Sequence, residues 1–394
     1  GTIQFSTYSD NLGDPGGAKL SFDKARHLQE FIHERDGNNL QLLCDLAATF
    51  INLGDIAFTE NNHSGMQEYY AKAQNCYEKL LKTSPDDSKN KLKLANLIIR
   101  QSSNLEMDTA QEIKNYQNSI DLIKEITQKD PTNIEAQKAL ALAYERLGST
   151  LGHPEMSEIG DFSAAENFLN ENLSIRRRIY ETDRDNTNSF NNYAISLTLL
   201  GDVFLAGGKS IEALKLFQEA MMLRERLVEQ DQQNEFARAA LVYNLSRTGT
   251  AFSALGKYTE AEQLFEKSSS ICEKFYPETT ENTFALNNCA KNYLFRADNQ
   301  AKQNKLDQAV ANYLQTIKLF EISSAKGGED IEEFLGRIAE ANLKLGEISL
   351  KQNRKQEAQQ RFKQSLGILE EIQKKEKLMI NMQIINQKAK QLTG

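Results

Sequence analysis

The chain has 394 residues, of which 40% are hydrophobic and 26% charged, with only five prolines and a net charge of −8. This composition is typical of a folded helical protein and argues against a disordered chain. The negative charge argues against a nucleic-acid partner, which requires clustered Lys and Arg. The length is too great for one globular core, so we expect several domains or a repeat array.

The first residues resemble the second half of a helical hairpin. Asn11-Leu12-Gly13-Asp14-Pro15-Gly16-Gly17-Ala18 reads as a turn and a helix start, and Phe22 and Ala25 continue that helix. Residues 1–13 are therefore predicted to be a linker or the remnant of a truncated repeat. We expect the sequence to begin in mid-repeat, as a fragment of a longer protein would.

Helix starts recur along the chain as a polar residue followed three positions later by Asn or Asp. Short polar side chains at this position accept hydrogen bonds from the free N–H groups of a first helical turn. Each pair is predicted to precede a helix of about 20 residues with apolar side chains at helical spacing. The six pairs are Asp36/Asn39, Ser84/Asp87, Asp130/Asn133, Asp183/Asn186, Asp231/Asn234 and Thr279/Asn282.

A small residue then recurs at a period of about 48 residues, and we call it the marker residue. A fixed period of this size indicates a solenoid. Because Gly in a helix costs about 1 kcal/mol relative to Ala, its recurrence predicts close approach of the neighbouring helix. An aromatic residue follows sixteen positions after most markers, as Phe217 follows Gly201. The markers are Gly54, Gly148, Gly201, Gly249, Ala297 and Gly346.

Two turns are expected to be longer than the rest. The spacing predicts about seven extra residues between Gly54 and Tyr70 and about four between Gly148 and Gly160. Insertions in repeat proteins often map to functional loops on one edge. They form a second candidate surface here, and tolerated loop length is the alternative interpretation.

The C-terminal residues 376–394 are predicted to form a capping helix. Terminal repeats must cover an unpaired apolar face, and this segment is apolar on more than one side, with Leu378, Met379, Ile380, Met382, Ile384 and Ile385. A contact with another domain or a second copy is the alternative.

The repeat resembles the tetratricopeptide repeat over nearly the whole chain. In one repeat the matching residues are Leu197, Leu200, Gly201, Phe204, Gly208, Ala213, Phe217 and Ala220. The repeats here are about 14 residues longer than the usual 34. They resemble a longer variant found C-terminal to bacterial serine/threonine kinase domains or fused to caspase-like peptidase domains. The resemblance implies an all-α, right-handed superhelical solenoid of about 7.5 helix-pair repeats over residues 14–375.

No catalytic motif is found in the sequence. His27, His33, His63 and His153 lack metal-ligand spacing, and His63 and His153 are predicted to be exposed loop residues. Cys44, Cys76, Cys272 and Cys289 have no close partner in sequence. They are interpreted as packed thiols of a reducing compartment, so a cytoplasmic location is expected. Because no catalytic or metal-binding motif is found, a non-enzymatic protein without cofactor or metal is expected. The sequence contains no apolar run of 18 residues, so no membrane span is expected.

The resemblance places the first helix of each pair on a concave peptide-binding face. Arg247 with Tyr243 is the favoured anchor, because Arg and Tyr are enriched at binding hot spots. Ordinary solvated helix positions are the alternative. The candidate lining is Asn52, Asp55, Glu145, Arg146, Thr198, Asp202, Tyr243, Arg247, Thr250, Lys291, Asp298, Lys344 and Glu347.

The leading hypothesis is a noncatalytic protein-interaction scaffold for a protein or peptide ligand, in the regulatory or recruitment region of a larger bacterial signalling protein linked to a kinase. The alternative is a sensor array fused to a caspase-like peptidase or another effector. A self-contained enzyme on a helical scaffold is a third hypothesis.

Overall fold

The computed structural model describes residues 13–104, 107–326, 331–375 and 377–393. These residues form sixteen α-helices and no strand. In chain order the helices are α1 Pro15–Arg35, α2 Leu40–Thr59, α3 His63–Thr83, α4 Ser88–Asn104, α5 Thr109–Lys129, α6 Ile134–Gly152, α7 Phe162–Thr182, α8 Thr187–Ala206, α9 Ser210–Gln230, α10 Glu235–Ala254, α11 Tyr258–Phe275, α12 Thr283–Lys302, α13 Leu306–Ala325, α14 Ile331–Lys351, α15 Lys355–Gln373 and α16 Ile380–Thr393.

The chain divides into two compact units, residues 1–147 (unit 1) and residues 148–394 (unit 2). The division falls within α6. In unit 1, α2 packs on α3 and α4 on α5. In unit 2, the pairs are α8 with α9, α10 with α11, α12 with α13, and α14 with α15. The predicted all-α architecture of consecutive helix pairs is confirmed. The predicted segment 1–13 lies, except for Gly13, outside the described residues.

The capping residues found in the sequence bind where they were predicted to. All six side-chain oxygens accept a hydrogen bond from a backbone N–H of the following first turn. The acceptors and donors are Asn39 and Leu42, Asp87 and Asn90, Asn133 and Ala136, Asn186 and Ser189, Asn234 and Ala237, and Asn282 and Ala285.

Four marker glycines lie against the aromatic residue sixteen positions later, and Gly148 lies against Leu169 instead. A Cβ atom on Gly201 would lie 2.5 Å from Phe217, and one on Gly54 would lie 2.5 Å from Tyr70. The rings are buried and occupy the space that a side chain would fill. The predicted close approach of neighbouring helices is therefore confirmed in both units.

The turns differ from the sequence prediction at one place. The turn between α2 and α3 spans only residues 60–62, as short as the turn at 207–209. The predicted seven-residue insertion is wrong, because Gly54 and Tyr70 have the same sixteen-residue spacing as Gly201 and Phe217. The predicted long connection after Gly148 is present, and it spans residues 153–161 between α6 and α7.

Two cysteines predicted to be free thiols are joined. Cys272 on α11 and Cys289 on α12 form a disulfide with a Cα–Cα distance of 5.8 Å. The helix pairing brings together residues that are 17 positions apart in sequence, which the spacing did not reveal. Disulfides are typical of oxidising compartments, so this bond argues against the reducing location expected from the sequence. Cys44 and Cys76 are free.

Helix α16 packs on the last helix pair. Its buried side chains Met382, Ile385 and Ala389 join Phe362 and Leu369 in one apolar cluster. Among the described helices, only Leu40–Thr59 has the length and apolar composition of a membrane span, and 56% of its apolar window is buried inside the protein. Core helices pass the same test, so this feature is weak evidence for a span.

Candidate functional site

The first helices of four successive pairs in unit 2 line one cavity, which we call the groove pocket. Its volume is about 690 Å³. Helix α8 contributes Ile195, Thr198, Leu199 and Asp202, and α10 contributes Phe236, Ala240, Tyr243 and Asn244. The remaining lining residues are His153, Glu155, Met156, Arg224, Phe284, Asn288, Lys291, Glu332, Glu333, Met379 and Met382. Largely apolar walls are typical of ligand pockets of this size, and this pocket adds six charged side chains to such walls.

The connection at residues 153–161, which we call the insertion loop, enters this groove. Glu155 pairs with Arg337 of α14 and lies 3.1 Å from Nζ of Lys291 on α12. All three side chains are almost fully buried. Burial raises the pKa of Glu155, but the charges of Arg337 and Lys291 outweigh that effect and hold it well below its usual range. The loop therefore carries a fixed negative charge into the groove.

Asp202 is the centre of a second buried cluster beside the loop. Its carboxylate accepts hydrogen bonds from Nε of Arg247 at 2.5 Å and from the hydroxyl of Tyr243 at 3.2 Å. His153 of the insertion loop places Nε2 at 3.4 Å from the same carboxylate. Asp202 is 2% exposed, and Arg247 is 6% exposed. Because the pair is buried, removing either partner would lower the stability of the fold by leaving the other charge without compensation.

The far end of the insertion loop is held by α16 and the residues before it. The backbone N–H of Ile380 donates to the carbonyl of Ser157 at 2.8 Å, and the Gln383 amide donates to the carbonyl of Glu158 at 3.1 Å. Lys377 lies 3.0 Å from the Glu158 carboxylate. The loop is thus fixed both in the groove and against the last helix of unit 2.

The predicted concave residues follow a rule that the sequence did not show. The acidic residue directly after a marker pairs with a basic residue on a later helix of the same unit. Asp55 binds Arg100 at 2.7 Å in unit 1, while in unit 2 Asp202 binds Arg247 and Asp298 lies 3.7 Å from Lys344. Glu347 pairs with Lys388 of α16. These charged side chains connect successive repeats within each unit.

The other predicted residues are placed as follows. Asn52 and Thr250 donate to carbonyls of their own helices, and Thr198 accepts from Asn244 at 2.8 Å. Glu145 is half-buried and Arg146 is exposed on α6. Of the thirteen candidates, the groove pocket brings together Thr198, Asp202, Tyr243 and Lys291.

Sequence analysis missed His153, Glu155, Arg337 and Arg224. His153 was predicted to be exposed, but it is 2% exposed because it lies against Asp202. The one available signal was the length of the connection after Gly148. Among the described residues, no three His, Cys, Asp or Glu side chains are grouped as a metal site would require.

Comparison with known proteins shows which solved structures this architecture is similar to. No protein-family model matches the chain, and no curated protein matches it. The solved apo structure of RapI is 14% identical and covers 83% of this chain and 99% of its own, with a TM-score of 0.50. The chain has a tetratricopeptide-like repeat fold. At this identity the likeness extends to the fold alone.

Two further solved structures match the chain with lower TM-scores. A Rap protein complexed with Competence and Sporulation Factor is 14% identical and covers 95% of this chain and 94% of its own, with a TM-score of 0.45. A putative kinesin light chain of Podosopora anserina with TPR-like repeats is 18% identical and covers 58% of this chain and 95% of its own, with a TM-score of 0.35.

Proposed function

We propose that this repeat protein is a noncatalytic scaffold that binds a peptide segment of a partner in the groove pocket of unit 2. The observation that carries the proposal is the pocket itself: it has a volume of about 690 Å³ and is lined by the first helices of four successive pairs, with apolar side chains between charged ones. Tetratricopeptide-like arrays present such surfaces to ligands. The insertion loop limits the ligand to a short segment, because residues 153–157 occupy part of the groove.

The wider setting of the proposal comes from the sequence. The longer repeat resembles arrays that accompany bacterial kinase domains, which supports a regulatory or recruitment role in a larger signalling protein. An array fused to a caspase-like peptidase is the alternative. The Cys272–Cys289 disulfide favours an oxidising location for this protein over the cytoplasm expected from the sequence.

Arg247 and Tyr243, the anchor favoured by the sequence, are unsuitable for testing the proposal. Both hold Asp202 in a buried cluster, so substituting them would change stability as well as binding. Ala240 is better placed, since it is a small residue that lines the pocket. Ala240→Phe would fill the cavity without removing a charge or hydrogen bond.

The test is selection of short random peptides displayed on phage. The intact chain, Ala240→Phe and the control Ala206→Phe are immobilised in parallel; Ala206 is exposed at the end of α8. We expect one peptide consensus with the intact chain and the control, and its loss with Ala240→Phe. A consensus kept by Ala240→Phe would move the site away from the pocket. Failure to select any consensus would contradict the proposal.

A further inference from the structure

Two phenylalanines at the pocket stack on each other in the open. Phe236 of α10 and Phe284 of α12 have ring centroids 5.3 Å apart and an interplanar angle of 10°. They are 48% and 43% exposed, although the rest of the repeat buries most of its large aromatic rings. Phe236, Phe284 and Glu332 are each forty-eight residues apart and stand second in α10, α12 and α14. They therefore form one row across three repeats.

A buried cation stands at one end of this row. The Arg224 guanidinium carbon lies 5.9 Å from the Phe236 ring centroid, and Arg224 is only 3% exposed. Its hydrogen-bond partners are the side chain and, at 3.4 Å, the carbonyl of Asn191. The Nε atom has no hydrogen-bond partner. Burial lowers the pKa of Arg224 to about 10.

Among the buried arginines at the groove, Arg224 is the one without a carboxylate partner in the described residues. The other buried guanidiniums at the groove, Arg247 and Arg337, each pair with a carboxylate. Buried charges are normally paired, because an isolated one is costly to remove from water. Arg224 lines the groove pocket, so a carboxylate in the pocket would compensate its charge.

A carboxylate stands at the other end of the row. Glu332 lines the pocket, and its side chain makes no ion pair or hydrogen bond with a described residue. Its neighbour Glu333 binds Lys291 at 2.6 Å and is already compensated. The pocket thus has an uncompensated positive charge at the α9 side, an uncompensated negative charge at the α14 side, and stacked aromatic rings between them.

We propose that this row binds a short dipolar peptide, with its carboxylate toward Arg224, apolar side chains on Phe236 and Phe284, and its cationic group toward Glu332. The inference rests on the proposed function and specifies its ligand. Along the row, the Arg224 guanidinium carbon lies 5.9 Å from the Phe236 ring centroid, and that centroid lies 5.3 Å from the Phe284 ring centroid. An extended peptide of roughly three to five residues, at about 3.3–3.6 Å per residue, spans a row of this kind. The charges come either from the chain ends or from acidic and basic side chains.

The experiment presents the full chain with mixtures of tetrapeptides whose middle positions are randomised over Leu, Ile, Val, Met and Phe. One mixture has free ends, a second has an amidated C-terminus, a third an acetylated N-terminus, and a fourth has both ends blocked. A fifth has blocked ends with Lys first and Glu last. Retained peptides are measured by affinity-selection mass spectrometry on the intact chain, Arg224→Met, Arg224→Lys, Glu332→Gln and Ala240→Phe.

We expect the free-ended or the Lys/Glu mixture to be retained at least about tenfold more than the blocked one, as charge-assisted bonds in a pocket allow. Arg224→Met should abolish the preference for the carboxylate, and Glu332→Gln the preference for the cation. Arg224→Lys should keep part of the former. Free ends or side chains as the source are distinguished by which mixture is retained.

Several results would overturn the inference. If blocked peptides are retained as well as charged ones and Ala240→Phe abolishes both, the scaffold function stands and the dipolar ligand is wrong. If no mixture is retained, the dipolar ligand is also wrong, and the phage selection decides the scaffold function separately. A merely structural Arg224 would make Arg224→Met less stable in thermal melting, whereas removing an uncompensated buried charge should leave stability unchanged or raised.

Discussion

The same ion pair occurs in both units of this protein, in two different environments. Asp55 and Arg100 in unit 1, and Asp202 and Arg247 in unit 2, each join the position after a marker to a base forty-five residues later. The side chains of the first pair are 11% and 25% exposed, while those of the second are 2% and 8% exposed. In unit 2 the insertion loop places His153 against the pair. One repeated sequence feature has thus become a partly solvated link in one unit and a buried cluster in the other.

The largest expected effect comes from Arg247→Met, which leaves the Asp202 carboxylate buried without its cation. Removing one partner of a buried pair costs about 3–5 kcal/mol of unfolding free energy. Urea denaturation followed by helical circular dichroism measures the loss. The double variant with Asp202→Leu should recover most of it, because a buried pair replaced by apolar residues leaves no isolated charge. A loss under about 1 kcal/mol in the single variant would show that the pair is not effectively buried.

An intermediate effect is expected where the two units are alike. Gly201→Ala and Gly54→Ala each place a methyl group about 2.5 Å from an aromatic ring, and overpacking costs about 1–3 kcal/mol. Gly367→Ala is the matched control, since no atom beyond its own stretch of helix backbone lies within 4 Å of its added Cβ. That control should instead gain up to about 1 kcal/mol of helix propensity. Equal stability changes at Gly201 and Gly367 would contradict the close packing of the markers.

The smallest effect is expected for Arg100→Met, the counterpart of Arg247→Met in unit 1. Arg100 keeps a quarter of its side chain in solvent, and Asp55 retains the hydroxyl of Tyr70 at 2.6 Å. A partly solvated pair contributes about 1 kcal/mol or less. The same denaturation assay, repeated at high salt, should show most of this loss screened. A loss equal to that of Arg247→Met would remove the distinction between the two environments.

Much of the fold could be predicted because its determinants are local or periodic. A cap such as Asn186 and its donor Ser189 are three residues apart, and Gly201 and Phe217 recur at a fixed spacing in other repeats. The predicted insertion after Gly54 was wrong although the same periodic spacing applies there, because Tyr70 follows Gly54 by sixteen residues, as Phe217 follows Gly201. The Cys272–Cys289 bond was missed because it depends on helix register, which the cysteine count does not contain.

The candidate site could be predicted only in outline. The resemblance selected the first helices, and Thr198, Asp202, Tyr243 and Lys291 do line the groove pocket. It did not indicate that Asp202 is already bound by Arg247, or that Arg224 of a second helix reaches the pocket. Those facts depend on which side chains meet across helices.

The sequence by itself determined the repeat period, the starts of six helices and the positions where helices approach closely, because each arises from residues within one repeat. Only the tertiary structure decided what occupies the groove. Glu155 and Arg337 are 182 residues apart. No periodicity relates them, since the insertion loop occurs once, and the stacking of the repeats between the two residues decides where the loop meets α14. Charge compensation in the groove, and with it the uncompensated Arg224, is a property of that single long-range arrangement.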